Sequence, residues 1–289
     1  MSNKIKITFP DSSVREYDKG ITAYEIAVSI SKKLAEEVLV AEINGKLSDL
    51  SSQINENSKI VFHKFDSEEG KHVYWHTTSH IMAQAIEELF PGARFGVGPA
   101  IENGFYYDID SEKKFTDEDL VKIENRMLEI AKRDLKPERQ DLKRTDAIEY
   151  FKSKRIDPYK VEILETIAKD EENVSLYSQG EFTDLCRGPH LPTTAKVKAI
   201  KLMSVSGSYW RGDEKRQMLQ RIYGISFPKQ KDLDEYLKNL EEAKKRDHRK
   251  LGKELELFSF HEEGPGFPFW HNNGMILLNN LKEYLREKL

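Results

Sequence analysis

The only cysteine of the chain, Cys186, stands four residues before His190 in the stretch FTDLCRGPH (182–190), with a Gly-Pro pair between them. A second pair, His76 and His80, has the same spacing and lies far upstream. Together they make four soft or borderline donors in two pairs, the arrangement that zinc uses in structural sites. Gly188-Pro189 turns the chain sharply, which would bring Cys186 and His190 toward one centre. Four protein ligands would close the coordination shell and leave no place for a reacting water unless one of them gives way. A cysteine nucleophile activated by a histidine is a second reading, and a generic one. Hydrolysis without metal, with a histidine as general base, is a third. On these residues alone all three stay open, beside the plainer reading of helical histidines as satisfied core or surface side chains.

Local patterns predict the helices and strands that carry these groups. KIKITF (4–9) alternates strictly and PDSS turns it into VREY, a hairpin. Thr22 with Glu25 makes a capping box before IAVSISKKL, whose Ile26, Ile30 and Leu34 form one stripe of a helix. VLVAEI joins KLSDL through Asn44-Gly45, a strong short hairpin signal, and KIVFHKF closes a unit near residue 65. This order is that of a small β-grasp of ubiquitin type. YWHTTSHIMAQAIEELF then reads as a helix stopped by Pro91-Gly92. On it Ile81, Met82, Ala85, Ile86 and Leu89 gather on one side, with His76, His80, Ala83 and Glu87 almost opposite, so the histidines face away from the apolar stripe. GARFGVGPAIENGFYYDID is glycine-punctuated hairpin material, and for Gly96-Val97-Gly98 turn geometry is preferred to a phosphate cradle. Thr116 caps a further amphipathic helix, and the mixture predicts an α+β domain. Leu233, Leu237, Leu240 and Ala243 stand at helical spacing in a charged helix read as a connector, with an ordinary peripheral helix as the alternative. The final helix, rich in Leu and Ile with nothing after it to pack on, reads as a cut chain.

At 289 residues the chain should hold roughly two domains of about 150 residues. Its opening is a strand pattern with no apolar signal region, and no eighteen consecutive residues are apolar, which argues against secretion and membrane spanning. One cysteine forms no intrachain disulfide, so the cytoplasm is the expected compartment. A net charge of −4 excludes a uniformly basic nucleic-acid binder. Two stretches are locally basic: residues 194–221, with Lys196, Lys198, Lys201, Arg211, Lys215, Arg216 and Arg221 against Asp213 and Glu214, and KKRDHRKLGK (244–253). Both read first as solvated faces. SYWRG (208–212) sets two aromatics beside an arginine, a mixture that stacks on bases and sugars.

His76-Thr77-Thr78-Ser79-His80, FGVGPAIENGFYYDID, Asp184-Leu185-Cys186-Arg187-Gly188-Pro189-His190 and KLMSVSGSYWRGDEKRQMLQRIYG, in that order, resemble the amino-terminal half of bacterial threonyl-tRNA synthetases, essentially over the whole chain. Alanyl-tRNA synthetases and their free-standing relatives carry a similar quartet. The resemblance implies a TGS β-grasp domain at 1–65, an α+β editing domain at 66–228, a linker helix at 229–255 and the truncated start of a class II catalytic domain at 256–289. It further implies that aminoacylation is absent from this fragment, since ATP, magnesium and the catalytic zinc belong to the missing core.

In that family, serine and threonine differ by one methyl, which a pocket discriminates by only about 1–3 kcal/mol, so a second sieve must hydrolyse serine charged in error. The resemblance places His76, His80, Lys160, Asp184, Cys186 and His190 around this sieve. His76 with Lys160 would activate water, Asp184 would hold the seryl amino or hydroxyl group, and His80, Cys186 and His190 would shape the site. On residues alone, Lys160 and Asp184 read as exposed charges. Gly98, Tyr107, Tyr209 and Arg211 are expected to bind substrate. Lys196, Lys198, Lys201, Arg216, Arg221, Lys245 and Arg249 are expected on the tRNA backbone. No cofactor is expected to be required for editing, with zinc at the quartet kept as the alternative. The implied partner is tRNA(Thr), above all its acceptor end carrying serine. The resemblance implies a homodimer for the full-length enzyme and leaves a monomer open for the fragment. A free-standing zinc-dependent deacylase and a noncatalytic tRNA-binding module are the competing functions.

Overall fold

KIKIT alternates exposed and buried residues along Lys4–Thr8, sending Ile5 and Ile7 into a core while its lysines stay in water. A computed structural model describes residues 4–289; Met1, Ser2 and Asn3, which belong to the expected opening strand, lie outside the described residues. Lys4–Thr8 pairs antiparallel with Val14–Asp18 and parallel with Ser58–His63. Val40–Ile43 and Lys46–Ser48 complete a five-stranded mixed sheet, joined through Asn44 and Gly45, both at positive φ. The Thr22–Glu25 capping box forms as its spacing predicts. One helix was expected through Leu34, but Ser31 is extended and divides it into Ala23–Ile30 and Lys32–Glu37. Ile30 is therefore exposed, and Ala23, Ile26 and Ala27 cover the sheet instead.

The next element is the long helix Glu68–Leu89, capped by Ser67 and begun six residues ahead of the sequence reading. The expected division into an apolar and a polar face does not hold, because every residue from Thr77 to Ile86 is buried. The helix Asp117–Lys132, one sheet, and Gln179 and Phe182 of a second sheet account for this. The first sheet is antiparallel, in the order Ala199–Tyr209, Met218–Phe227, Gly104–Asp110, Arg94–Phe95, with Ala100–Ile101 also on Gly104–Asp110. The second is three-stranded, with Asn173–Gln179 between Glu138–Lys143 and Phe182–Leu185. A helix that meets protein on all sides buries its polar groups too, and they must find partners there. Asp117–Lys132, capped by the Thr116–Asp119 box, packs on the long helix.

The chain separates into two compact units, Met1–Gln230 and Lys231–Leu289. The helix expected across 229–255 is two helices, Gln230–Lys245 and His248–Glu254, because Asp247 leaves helical geometry and caps the second through the Arg249 amide. In the second unit Phe258–Ser259 pairs with Phe269–Trp270, and Asn272–Lys288 forms the final helix. Among the described residues no helix is long and apolar enough to cross a membrane.

Candidate functional site

One turn of the long helix separates His76 from His80 and sets their rings 4.9 Å apart. The segment after Phe182–Leu185 bends through a cis Gly188-Pro189 bond and brings Cys186 and His190 against them. His76 Nε2 lies 2.9 Å from Cys186 Sγ, and His190 Nε2 lies 3.3 Å from the same sulfur. One donor atom from each of the four residues falls within 4.8 Å of the others. The two distant pairs converge on one centre. Thr77 fixes the tautomer of His190: its hydroxyl donates to the Val73 carbonyl and accepts from the Leu191 amide, so His190 Nδ1, 3.2 Å away, must donate to it. That leaves the His190 Nε2 lone pair facing the sulfur.

Burial governs the charges. It pushes His76 down to about 4, helped by His72 and opposed by Asp184. Burial, then His76 and Lys160, holds His80 well below its ordinary value, and burial, then His80 and His76, does the same for His190. Burial pushes the Cys186 thiol up to about 12. At neutral pH the metal-free quartet is three neutral imidazoles around a protonated thiol, which argues against a thiolate nucleophile. His76 is the least buried of the four.

Beside the quartet lies a second group that sequence reading alone had placed in solvent. Lys160 and Asp184 are buried and ion-paired at 2.6 Å. Burial without a partner would be prohibitive, so each exists there because of the other. Asp184 Oδ1 also accepts from the Leu185 amide, and Oδ2 accepts from the Tyr107 hydroxyl, which in turn accepts from Lys160 at 3.1 Å. Burial, then the Asp184 charge, raises the Tyr107 phenol well above its ordinary range. Asp184 Oδ2 stands 4.0 Å from His80 Nδ1, so the two groups form one polar interior.

The stretch from 174 to 223, which supplies Asp184, Cys186 and His190, matches the family model for the threonyl and alanyl tRNA synthetase second additional domain. Residues 5–64 match the TGS domain. A threonine–tRNA ligase of Caldanaerobacter subterraneus is 56% identical over 291 aligned residues, covering 100% of this chain and 45% of that protein. Those of Chloroherpeton thalassium and Acetivibrio thermocellus are also 56% identical, over 99% and 98% of the chain. The chain matches the amino-terminal part of threonyl-tRNA synthetases. It spans a little under half the length of these relatives.

The other site residues expected from the synthetase resemblance are scattered. Gly98 adjoins the quartet: its carbonyl accepts from Ser79, and a Cβ there would stand 2.2 Å from the Tyr107 ring, so only glycine lets the chain lie on that face. Tyr209 and Arg211 instead line a recess of about 380 Å³ with Val97, Asp108 and Trp210, which the quartet does not line. Arg211 bonds Thr166 and pairs with Glu162. Most of the expected backbone contacts are occupied by the protein itself. Arg216 forks onto Glu162, Arg221 forks onto Asp108 at 2.6 and 2.8 Å and covers the Tyr106 ring, and Lys201 pairs with Glu124. Lys245 pairs with Glu242 and Arg249 with Asp247. Half-buried Lys196 donates to the Glu36 carbonyl. Lys198 is exposed.

Sequence reasoning missed Thr77 and Asp157. Asp157 caps the helix Pro158–Thr166 that carries Lys160, and it also accepts from the Phe95 amide. The Asp-Pro pair at a helix start was a readable signal for it. Thr77 had none, since its partners outside the helix, His190 and Leu191, lie on the returning segment.

Proposed function

We propose that this chain hydrolyses the ester of serine mischarged on tRNA(Thr), with residues 1–65 as the TGS domain and 66–228 as the editing domain. The convergence of His76, His80, Cys186 and His190 beside the buried Lys160–Asp184–Tyr107 group carries this reading. His76, the quartet member most open to substrate and neutral at physiological pH, orients the attacking water and takes up its proton. A base held at about 4 is weak, and Asp184, which already favours the imidazolium, supports it as charge develops. Lys160 keeps Asp184 in place to receive the seryl amino or hydroxyl group. His80, Cys186 and His190 form a tight wall that serine fits and the threonine methyl does not.

The donor set fits zinc. Three imidazoles and one sulfur meet at one centre, and His190 has the outer hydrogen bond, to Thr77, that ligand histidines commonly make. A zinc held there would polarise the ester carbonyl or a water if one ligand gave way. Water activation by His76 needs no cofactor, and deacylation that persists after chelation is its mark. The test compares seryl- and threonyl-tRNA(Thr) with the purified chain. Serine is released and threonine is not, chelation changes little, and His76→Ala lowers the rate by about 10²-fold or more. Loss on chelation would establish the zinc deacylase reading, and binding without hydrolysis the noncatalytic one.

Residues 229–255 link this part to the class II core that 256–289 begin, and ATP, magnesium and the core zinc belong to the rest of that core. A cytoplasmic homodimer acting on tRNA(Thr) is the setting we assign to the whole enzyme.

A further inference from the structure

Asp49 belongs to the five-stranded β-grasp sheet region, on the turn after Lys46–Ser48, and has no part in the chemistry assigned above. Its carboxylate nevertheless leaves its own domain. Oδ1 accepts from the backbone amide of His190 at 2.7 Å, across 141 residues of chain. Oδ2 accepts from the Tyr177 hydroxyl at 2.6 Å. Tyr177 is buried, and its ring lies 4.4 Å from that of His190. A Cβ on Gly188, which has φ +69°, would stand 2.1 Å from the same hydroxyl, so the bend is pressed onto the phenol. One carboxylate therefore ties together the strand Asn173–Gln179, the bend and a quartet histidine.

The far end of the bend has its own fastening. Cys186 bonds Ser175 twice, through its amide to the Ser175 carbonyl and through its carbonyl to the Ser175 hydroxyl. Between Cys186 and His190 the backbone is held at one end by the editing domain and at the other by Asp49. The helix half of the site is joined to the β-grasp domain as well. A Cβ on Gly70, in the first turn of that helix, would stand 1.7 Å from the Lys64 carbonyl just beyond Ser58–His63, so the helix leaves the sheet along a tightly defined path. Both halves of the quartet thus take their position from the same domain, one through the chain and one through Asp49.

We infer that Asp49 is a positioning residue for the editing site, holding the Cys186–His190 bend at the distance from His76 and His80 at which the site works. This rests on the editing reading for its kinetic consequence, while its structural consequence stands apart. The β-grasp domain is then part of the hydrolytic machinery and not only a neighbour of it. A misplacement on the ångström scale is enough to lower an oriented reaction by up to about 10²-fold.

The experiment compares Asp49→Ala with Asp49→Asn in the full chain. In the Asn variant the amide oxygen can still accept from His190, and the Tyr177 hydroxyl can turn to accept from the amide nitrogen, so both ties survive. In the Ala variant both are lost. Two quantities are read on folded, chelator-treated protein: kcat and KM for seryl-tRNA, and the rate at which a small maleimide labels Cys186. Asp49→Ala is expected to lower kcat about tenfold or more with KM within about twofold, and to speed labelling on the order of tenfold as the bend opens. Asp49→Asn is expected to stay near the parent in both. Unchanged labelling in Asp49→Ala overturns the proposal, as does an Asn variant impaired as much as Ala. If the parent chain releases no serine, the editing reading fails, and the labelling rates still decide whether Asp49 holds the bend.

Discussion

The quartet and the basic stretch 194–221 drew attention for the same reason, a concentration of chemically capable side chains, and the folded chain treats them in opposite ways. Around Cys186 the groups face one another, and the sulfur bonds both His76 and His190 within the cluster. Along 194–221 the cations turn to acids of other elements: Arg221 to Asp108, Arg216 to Glu162, Lys201 to Glu124. A run of charge in sequence does not tell whether that charge is already matched. A set of metal-ligand side chains is less ambiguous, because burying it without partners is costly and convergence supplies them.

Four measurements test that contrast. The largest effect belongs to the interior: Lys160→Met leaves Asp184 buried without its cation and should lower unfolding stability by about 3–5 kcal/mol in denaturant titration. A loss below about 1 kcal/mol would mean that Asp184 is solvated and the interior less closed than described.

The next is a pH effect. Folding takes His76 from 6.5 to about 4, so between these values the unfolded chain binds more protons than the folded one. Stability from this group is therefore complete above 6.5 and is lost as pH falls toward 4. The urea midpoint of chelator-treated protein should fall across that window, and less steeply in His76→Gln. Equal slopes would count against a buried neutral imidazole.

On the basic side, Arg221→Gln removes a forked partner from buried Asp108 and should cost about 1–3 kcal/mol of stability. It should leave the salt dependence of tRNA binding as it was, and a shallower slope would restore the phosphate contact expected from sequence. Exposed Lys198 is the converse and the smallest: Lys198→Ala should leave stability alone and reduce the logarithmic salt slope by about one unit.

Legibility followed distance along the chain. The Thr22–Glu25 box, the Thr116 cap and Asn44-Gly45 act within a few residues and were readable as written. The helix breaks at Ser31 and Asp247 were not, because neither position carries a strong helix breaker. The long helix misled through its period. Its composition has an apolar stripe, yet packing on every side buries the polar residues as well, and no periodicity reports how many neighbours a helix will have.

Most local elements, the β-grasp order and the identity of the four donor residues could be read from the residues in order, since side-chain type and short-range hydrogen bonding decide these. It took the packed fold to make Lys160 and Asp184 an interior ion pair, to match most of the basic stretch with acids, and to bring Asp49 to His190 from another domain. Such partners meet only once distant strands are packed. The value of each contact depends on how much water that packing removes, a property of the assembled interior and of no single segment.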